Sequence, residues 1–220
     1  MSEQEERKAA KQSRIRKRAK AVKPFRCRHT IAVLEDPRDI LNLGTVIRNV
    51  DALGIEKVYV VDPYGKLPDD WEDLRERRSV MKTSSSASKW VFVKRVNSTA
   101  ECHAHLKKNG FRSVVTSPHV KGKTSLYLDE VDFTQFNKLA IWFGTEGGDI
   151  TDEAVQKAEL CVAIPMFGMI ESLNLGTSSG IVLYEVAKQR RAYQSRFSKK
   201  NFQGRRSTPL PTVPPMTRGR

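Results

Sequence analysis

The chain has 220 residues and a formal net charge of +14, enough length for about one domain with a full core. Its three cysteines, Cys27, Cys102 and Cys161, are odd in number and widely spaced, which argues against a disulfide framework or a zinc site and fits a reducing cytoplasm. No run approaches the roughly 18 apolar residues of a membrane span, and the charged N-terminus lacks the apolar stretch of a secretory signal.

In chain order, residues 1–24 are rich in Lys, Arg, Gln and Ala and read as a solvated helix. A strand follows at 30–34 (TIAVL), a helix at 42–53, a strand at 57–61 (KVYVV) and a helix at 68–78. Next come a strand at 90–93 (WVFV), a helix at 99–109 ended by Gly110, and a strand at 113–116. The body closes with a strand at 139–143 (LAIWF), a helix at 151–158, a strand at 161–164 and a helix at 172–190. From Gln194 the chain turns Ser/Arg/Pro/Gly-rich and reads as disordered. No internal repeat is visible.

The charge is segregated. Residues 1–28 hold eleven Lys/Arg against three acids, and residues 188–220 hold ten against none, leaving a net −4 on residues 29–187. Two basic ends on a mildly acidic body predict arms for a polyanion such as RNA; the plain alternative is a pair of solubilising tails. The expected division is a basic extension at 1–28, a folded domain at 29–193 and a basic tail at 194–220.

Continuous apolar strands separated by helices predict an α/β fold, a parallel sheet flanked by helices on both faces. Ligands of such sheets bind beyond the carboxyl ends of the strands, where the strand order reverses. That directs attention to three loops, at 35–42, 144–151 and 165–174.

Each loop carries a motif. Asn42-Leu-Gly44-Thr-Val-Ile-Arg48 opens a helix, with Asn42 a good N-cap and Gly44 leaving the first turn open to close approach. Taken alone, Arg48 reads as a solvated helix arginine. Phe143-Gly144-Thr145-Glu146-Gly147-Gly148-Asp149 takes a buried strand into a Gly-rich turn with a carboxylate, without the spacing of a dinucleotide loop. Residues 164–185, IPMFGMIESLNLGTSSGIVLYE, pass from a strand end through a polar corner into a helix that opens on Gly176, Thr177, Ser178, Ser179 and Gly180. Ser172 and Asn174 suit capping, and so many small residues imply close approach by another helix or a ligand.

Two other features resemble sites without completing one. Residues 117–124 (SPHVKGKT) end like a phosphate-binding loop, but Ser117 replaces its first glycine, Pro118 removes an amide donor, and no helix pattern follows. His103 and His105 are two apart on a helix and face different ways, and His29 and His119 have no evident partners, so no metal site is expected.

In this order, N-x-G-x-x-x-R, F-G-x-E-G and I-P-M-x-G-x-x-x-S-L-N resemble the three motifs of the SpoU/TrmH family, S-adenosylmethionine-dependent RNA 2′-O-ribose methyltransferases of the SPOUT class. The likeness spans about residues 30–190. It implies a C-terminal segment threaded as a trefoil knot, knotted loops that form the cofactor pocket, and a homodimer with the site at its interface. Knots are otherwise nearly absent from proteins. Position by position, it implies catalytic roles for Asn42, Arg48, Glu146, Ser172 and Asn174. It assigns S-adenosylmethionine to Thr116, Gly144, Ile164, Met166 and Leu173. Two positions depart from the pattern: Asp149 stands where Gly is usual, with Gly148 one place early, and Gly176 where Ser is usual.

The implied activity is methyl transfer to a ribose 2′-hydroxyl, with tRNA favoured over rRNA, in the cytoplasm. A guanidinium, with a pKa above about 12, is not a base, so Arg48 is expected to clamp a phosphate and orient the hydroxyl. Asn42 and Glu146 would position Arg48 or the nucleotide. The alternatives are a non-catalytic RNA-binding protein that keeps the fold and a module whose basic ends bind an acidic protein.

Overall fold

The structure is a computed structural model that describes residues 3–67, 71–119, 124–145 and 147–200. The chain divides into two units, one being Cys27–Arg191 and the other the two ends, Met1–Arg26 with Ala192–Arg220. In the second unit, helix α1 (Glu3–Val22) is polar on all sides, as expected of a solvated helix.

The first unit is built on seven parallel strands: β1 (Cys27–Glu35), β2 (Ile55–Val61), β3 (Phe92–Val96), β4 (Arg112–Thr116), β5 (Ser125–Tyr127), β6 (Leu139–Phe143) and β7 (Leu160–Ala163). Their order is β3-β2-β1-β6-β4-β7-β5. Alternate residues of β1 feed two cores, because successive side chains of a strand point to opposite faces. Ala32 and Leu34 pack with α2 (Ile40–Ala52) and α7 (Leu175–Lys200) through Leu43, Ile47, Leu183 and Val186. Ile31 and Val33 pack with α5 (Thr99–Lys108) and α6 (Asp152–Lys157) through Cys102, Leu106 and Ala154. All five residues of β6 are buried, as a central strand covered on both faces requires.

The parallel α/β class agrees with the reading from sequence, and β6 begins and ends where expected. Several boundaries differ. Helix α2 starts two residues early because Asp39, not Asn42, is its N-cap: the Asp39 carboxylate accepts from Leu41 N at 2.8 Å. The single helix expected at 68–78 is instead α3 (Trp71–Glu76) and α4 (Arg78–Ser84), with residues 68–70 outside the described residues. A 3-10 turn at Ala87–Lys89 displaces β3 towards its C-terminus. The short edge strand β5 was not foreseen; its three residues carry too little pattern to read.

The last helix differs most. It begins at Leu175 rather than at Ser172 and continues to Lys200, so residues 194–200, expected to be disordered, are helical. Residues 201–220 of the expected tail lie outside the described residues. Arg190 pins this helix to the first unit. It is 1% exposed and donates to the carbonyls of Phe133 (3.2 Å), Phe136 (2.5 Å) and Asn137 (2.8 Å), and to that of His29 at 3.4 Å. Among the described residues no helix is long and apolar enough to cross a membrane.

Candidate functional site

The chain runs outward from β1 to β2 and β3, then returns to build β4, β6 and β7 on the other side of β1. The reversal leaves a crevice beyond the carboxyl ends of β4, β6 and β7. A cavity of about 320 Å3 occupies it, near the lower end of the ~300–1,000 Å3 usual for small-molecule sites. All five positions expected to hold the cofactor line it: Thr116, Gly144, Ile164, Met166 and Leu173. So do Ser172 and Asn174.

Hydrogen bonds across the chain fix the walls. Thr116 Oγ1 donates to the Trp142 carbonyl at 2.9 Å, tying β4 to the end of β6. Trp142 Nε1 donates to Ser113 Oγ at 3.1 Å, and the His103 ring stacks on Trp142 with centroids 4.1 Å apart. Burial lowers the His103 pKa to about 4, so the ring stacked on Trp142 is neutral at pH 7. Burial pushes the nearby Cys102 thiol up to about 12, which leaves it an inert core group.

Gly144 closes the loop on itself. A Cβ there would lie 2.5 Å from Ile150 N and 2.7 Å from the Asp149 carbonyl carbon. The close approach expected at this glycine is to its own backbone; the positive φ of the loop falls at Gly147, at 67°. The aspartate that departs from the family pattern has a local role. Asp149 accepts from Ser117 Oγ at 2.9 Å and from Ile150 N at 2.8 Å, joining the loop after β6 to the loop after β4. Glu35, at the end of β1 and 4% exposed, accepts from Thr151 N (2.8 Å), Thr151 Oγ1 (2.7 Å) and Thr99 Oγ1. It holds the far end of the loop after β6 to β1.

The first and third motifs meet directly. Asn174 Nδ2 donates to Asn42 Oδ1 at 3.0 Å, while Asn174 Oδ1 caps α7 by accepting from Gly176 N (2.8 Å) and Thr177 N (3.4 Å). Asn42 is free for this bond because Asp39 does the capping of α2. Seven residues on, two turns down the same face, Asn49 Nδ2 donates to the Gly176 carbonyl (2.7 Å) and to Ser179 Oγ (3.1 Å). The small residues of α7 serve this contact. A Cβ on Gly176 would sit 2.7 Å from Thr45 Cγ2, and one on Gly180 would sit 3.3 Å from Asn49 Nδ2. Ser178 is the member of the run that lines the cavity. The need for close approach is thus met mainly by α2, and only in part by the cavity.

Arg48 is placed differently from the other expected site residues. It is exposed, does not line the cavity, and has no hydrogen bond or ion pair with a described residue. Six residues of helix set it about 240° around the axis from Asn42, off the face that meets α7. Glu146 lies outside the described residues. Asn49, Glu35, Asp149 and the cavity-lining Glu171 were not singled out for the site from the sequence. An acid ending an otherwise apolar strand was the one visible signal, at Glu35. Among the described residues no cluster of His, Cys, Asp or Glu is arranged to hold a metal. The phosphate-loop mimic at 117–124 leads into β5, not a helix, though residues 120–123 lie outside the described residues.

Comparison with known proteins points the same way. The model of the SpoU rRNA Methylase family matches residues 29–184. A tRNA (guanosine(18)-2′-O)-methyltransferase from Thermus thermophilus is 29% identical over 158 residues, covering 72% of this chain and 74% of that protein. The solved structure of the Aquifex aeolicus TrmH/SpoU tRNA modifying enzyme superposes with a TM-score of 0.67 at 27% identity, covering 81% of this chain and 85% of the other. An AdoMet-bound rRNA methyltransferase from Sinorhizobium meliloti superposes with a TM-score of 0.61 at 25% identity, covering 73% and 56%.

Proposed function

The chain belongs to the SpoU rRNA methylase family, and from that premise we propose that it transfers the methyl group of S-adenosylmethionine to a ribose 2′-hydroxyl of RNA, with tRNA favoured over rRNA. The observation that carries the reading is the crevice cavity, whose wall holds all five expected cofactor positions and both polar residues of the third motif. Its chemistry suits the cofactor. Ile164, Leu173 and Val162 offer apolar contact for an adenine ring, and Glu171 and Asp149 offer carboxylates towards a cationic ligand. Thr145, also on the wall, has a buried hydroxyl without a partner among the described residues, a polar atom left for a ligand. When bound there, S-adenosylmethionine supplies an electrophilic methyl on a sulfonium.

The protein must then align a poor nucleophile and let one proton leave. Arg48 serves as a clamp: it holds the phosphate beside the target ribose and orients the hydroxyl, whose proton passes to a phosphate oxygen or solvent. Asn174, held between the cap of α7 and Asn42, fixes the third-motif loop against α2. Ser172 shapes the mouth, and Glu146, by its place in the second motif, positions Arg48 or the nucleotide.

We assign the chain a homodimeric state with the site completed across the interface. Arg48 is exposed and does not line the cavity of its own chain. Phe167, Met169 and Ile170 beside the cavity are 96%, 99% and 67% exposed, and Ile181 and Tyr184 of α7 are also open, an apolar surface that a second copy would cover. The trefoil knot is supported by the strand order, with β6 between β1 and β4 and β7 between β4 and β5. Cys27, Cys102 and Cys161, all buried and in no disulfide, support a cytoplasmic location. The division into a basic extension at 1–28, a methyltransferase domain at 29–193 and a basic tail at 194–220 gives the ends a role as salt-sensitive RNA arms.

The test is transfer of radiolabelled methyl from S-adenosylmethionine into total tRNA and into rRNA, with the labelled nucleotide mapped by its resistance to alkaline cleavage. Label at one ribose of one RNA class is the expected result. RNA binding without any label would favour the non-catalytic alternative; neither binding nor label would leave the acidic-partner module.

A further inference from the structure

A second feature stands at the carboxyl end of the sheet, away from the cavity. The turn after β2 is held by a buried carboxylate. Asp62, 3% exposed, accepts from Lys66 N at 3.0 Å and Leu67 N at 2.8 Å, and Arg95 Nε lies 3.1 Å from its Oδ2. Gly65 supplies the positive φ, 64°, that the turn requires. At its tip Tyr64 is 73% exposed, and its hydroxyl bonds no described residue. Lys66 Nζ sits 4.6 Å from the centroid of the Tyr64 ring and donates to Asp36 Oδ1 at 2.9 Å. Asp36 is itself fixed, with φ of 45° and its N–H on the Val61 carbonyl at 2.8 Å; Arg38 Nε lies 3.9 Å from its other oxygen.

The Tyr64 ring is thus presented to solvent by a turn whose backbone is fully tied down. The buried Asp62 and its partly buried partner Arg95 fix the backbone of the turn, and Lys66 Nζ lies against the ring itself. Such a ring binds a flat partner without further loss of freedom. The cation beside it and the second cation at Arg38 suit an adjoining phosphate. β2 is separated from β6 only by β1, so the turn stands on the order of 10 Å across the sheet from the strand that enters the cavity loop. Asn42, bonded to the cavity wall, lies on the helix that follows Asp36 and Arg38.

We propose that Tyr64 is a stacking platform for a base of the RNA substrate near the methylated nucleotide, with Lys66 and Arg38 meeting the neighbouring phosphate. The inference rests on the RNA-methyltransferase reading, to which it adds a contact point in the folded body, distinct from the basic ends. One stacked base is worth about 1–3 kcal/mol.

The experiment compares the full-length protein with Tyr64→Ala and Tyr64→Phe for binding to an unmodified tRNA transcript by fluorescence anisotropy. S-adenosylmethionine affinity and Tm are measured in parallel. Tyr64→Ala is expected to lose about 5- to 150-fold in RNA affinity, and Tyr64→Phe less than about twofold, because the ring is what stacks. Tm and cofactor affinity stay at the native values, and in methyl transfer KM for RNA rises while kcat holds. Native RNA affinity in Tyr64→Ala overturns the platform, as does an equal loss in Tyr64→Phe. Tyr64-dependent binding without methyl transfer by the native protein leaves the platform standing and removes the enzymatic reading. Methyl transfer with an unchanged KM in Tyr64→Ala removes the platform alone.

Discussion

Gly176→Ser would restore the residue usual in the SpoU/TrmH family and should nonetheless destabilise this chain. Gly176 is the second residue of α7, where serine is a better helix residue than glycine by roughly 0.3–0.5 kcal/mol. Opposing that gain, its Cβ would lie 2.7 Å from Thr45 Cγ2 and 3.2 Å from Thr45 Cβ. Thr45 cannot simply turn away: its hydroxyl donates to the Leu41 carbonyl at 3.0 Å, which fixes the rotamer that points the methyl at Gly176. Overpacking at a close helix contact costs about 1–3 kcal/mol, so the steric effect wins. The net loss is about 1.5 kcal/mol, and at about 2–4 °C per kcal/mol for a chain of this size Tm should fall by roughly 3–6 °C. Asn174, whose carboxamide oxygen is 3.1 Å from the same Cβ, would shift too, and S-adenosylmethionine affinity should fall with it. The diagnostic step is Thr45→Ser, which removes the offending methyl and keeps the hydroxyl. Adding it to Gly176→Ser should recover most of the lost Tm, with an interaction energy above about 1 kcal/mol in the double-mutant cycle. A Gly176→Ser protein as stable as the native one, or a clash that Thr45→Ser does not relieve, would refute the packing assigned to α2 and α7.

Two further outcomes are expected. Arg48→Ala removes a side chain with no partner among the described residues, so stability should stay within about 0.5 kcal/mol and S-adenosylmethionine affinity near native, while methyl transfer is lost; calorimetry beside the transfer assay separates these, and a loss of cofactor affinity equal to the loss of activity would sink the assignment. His103 is buried against Trp142 with its pKa lowered to about 4, chiefly by desolvation, then by Lys157 and against Glu153. Its pKa is depressed on folding, so below pH 6.5 the unfolded chain binds the extra proton first. The contribution is complete above pH 6.5 and falls as pH drops towards 4, by up to about 3 kcal/mol. Denaturant midpoints at pH 7 and pH 5 should therefore differ less in His103→Gln than in the native chain, and equal pH sensitivity in the two would show that the ring is not buried neutral.

The alternation of apolar strands and helical patterns was enough to read a parallel α/β sheet, because a strand such as LAIWF has no polar face to expose. The loops beyond the carboxyl ends followed from that topology, and seven of the ten expected site positions do line one cavity. What stayed illegible was pairing at a distance. Nothing local tells Asn42 from Asp39 as the cap of α2; the choice is settled by Asn174, 132 residues away, which takes the Asn42 carboxamide into another bond. Glu35 looks like a strand end until Thr151 and Thr99 close on it, and Asn49 looks like a surface residue until Gly176 and Ser179 present a carbonyl and a hydroxyl. Gly176 and Asp149, the two departures from the family pattern, belong to the same class. Each is explained by a neighbour on another segment, Thr45 in one case and Ser117 in the other. The cavity loops are therefore held less by their own propensities than by single polar ties to β1, α2 and the loop after β4. A substitution at Glu35 or Asn49, neither of which lines the cavity, should act on the site through position alone, leaving the chemistry of its walls unchanged.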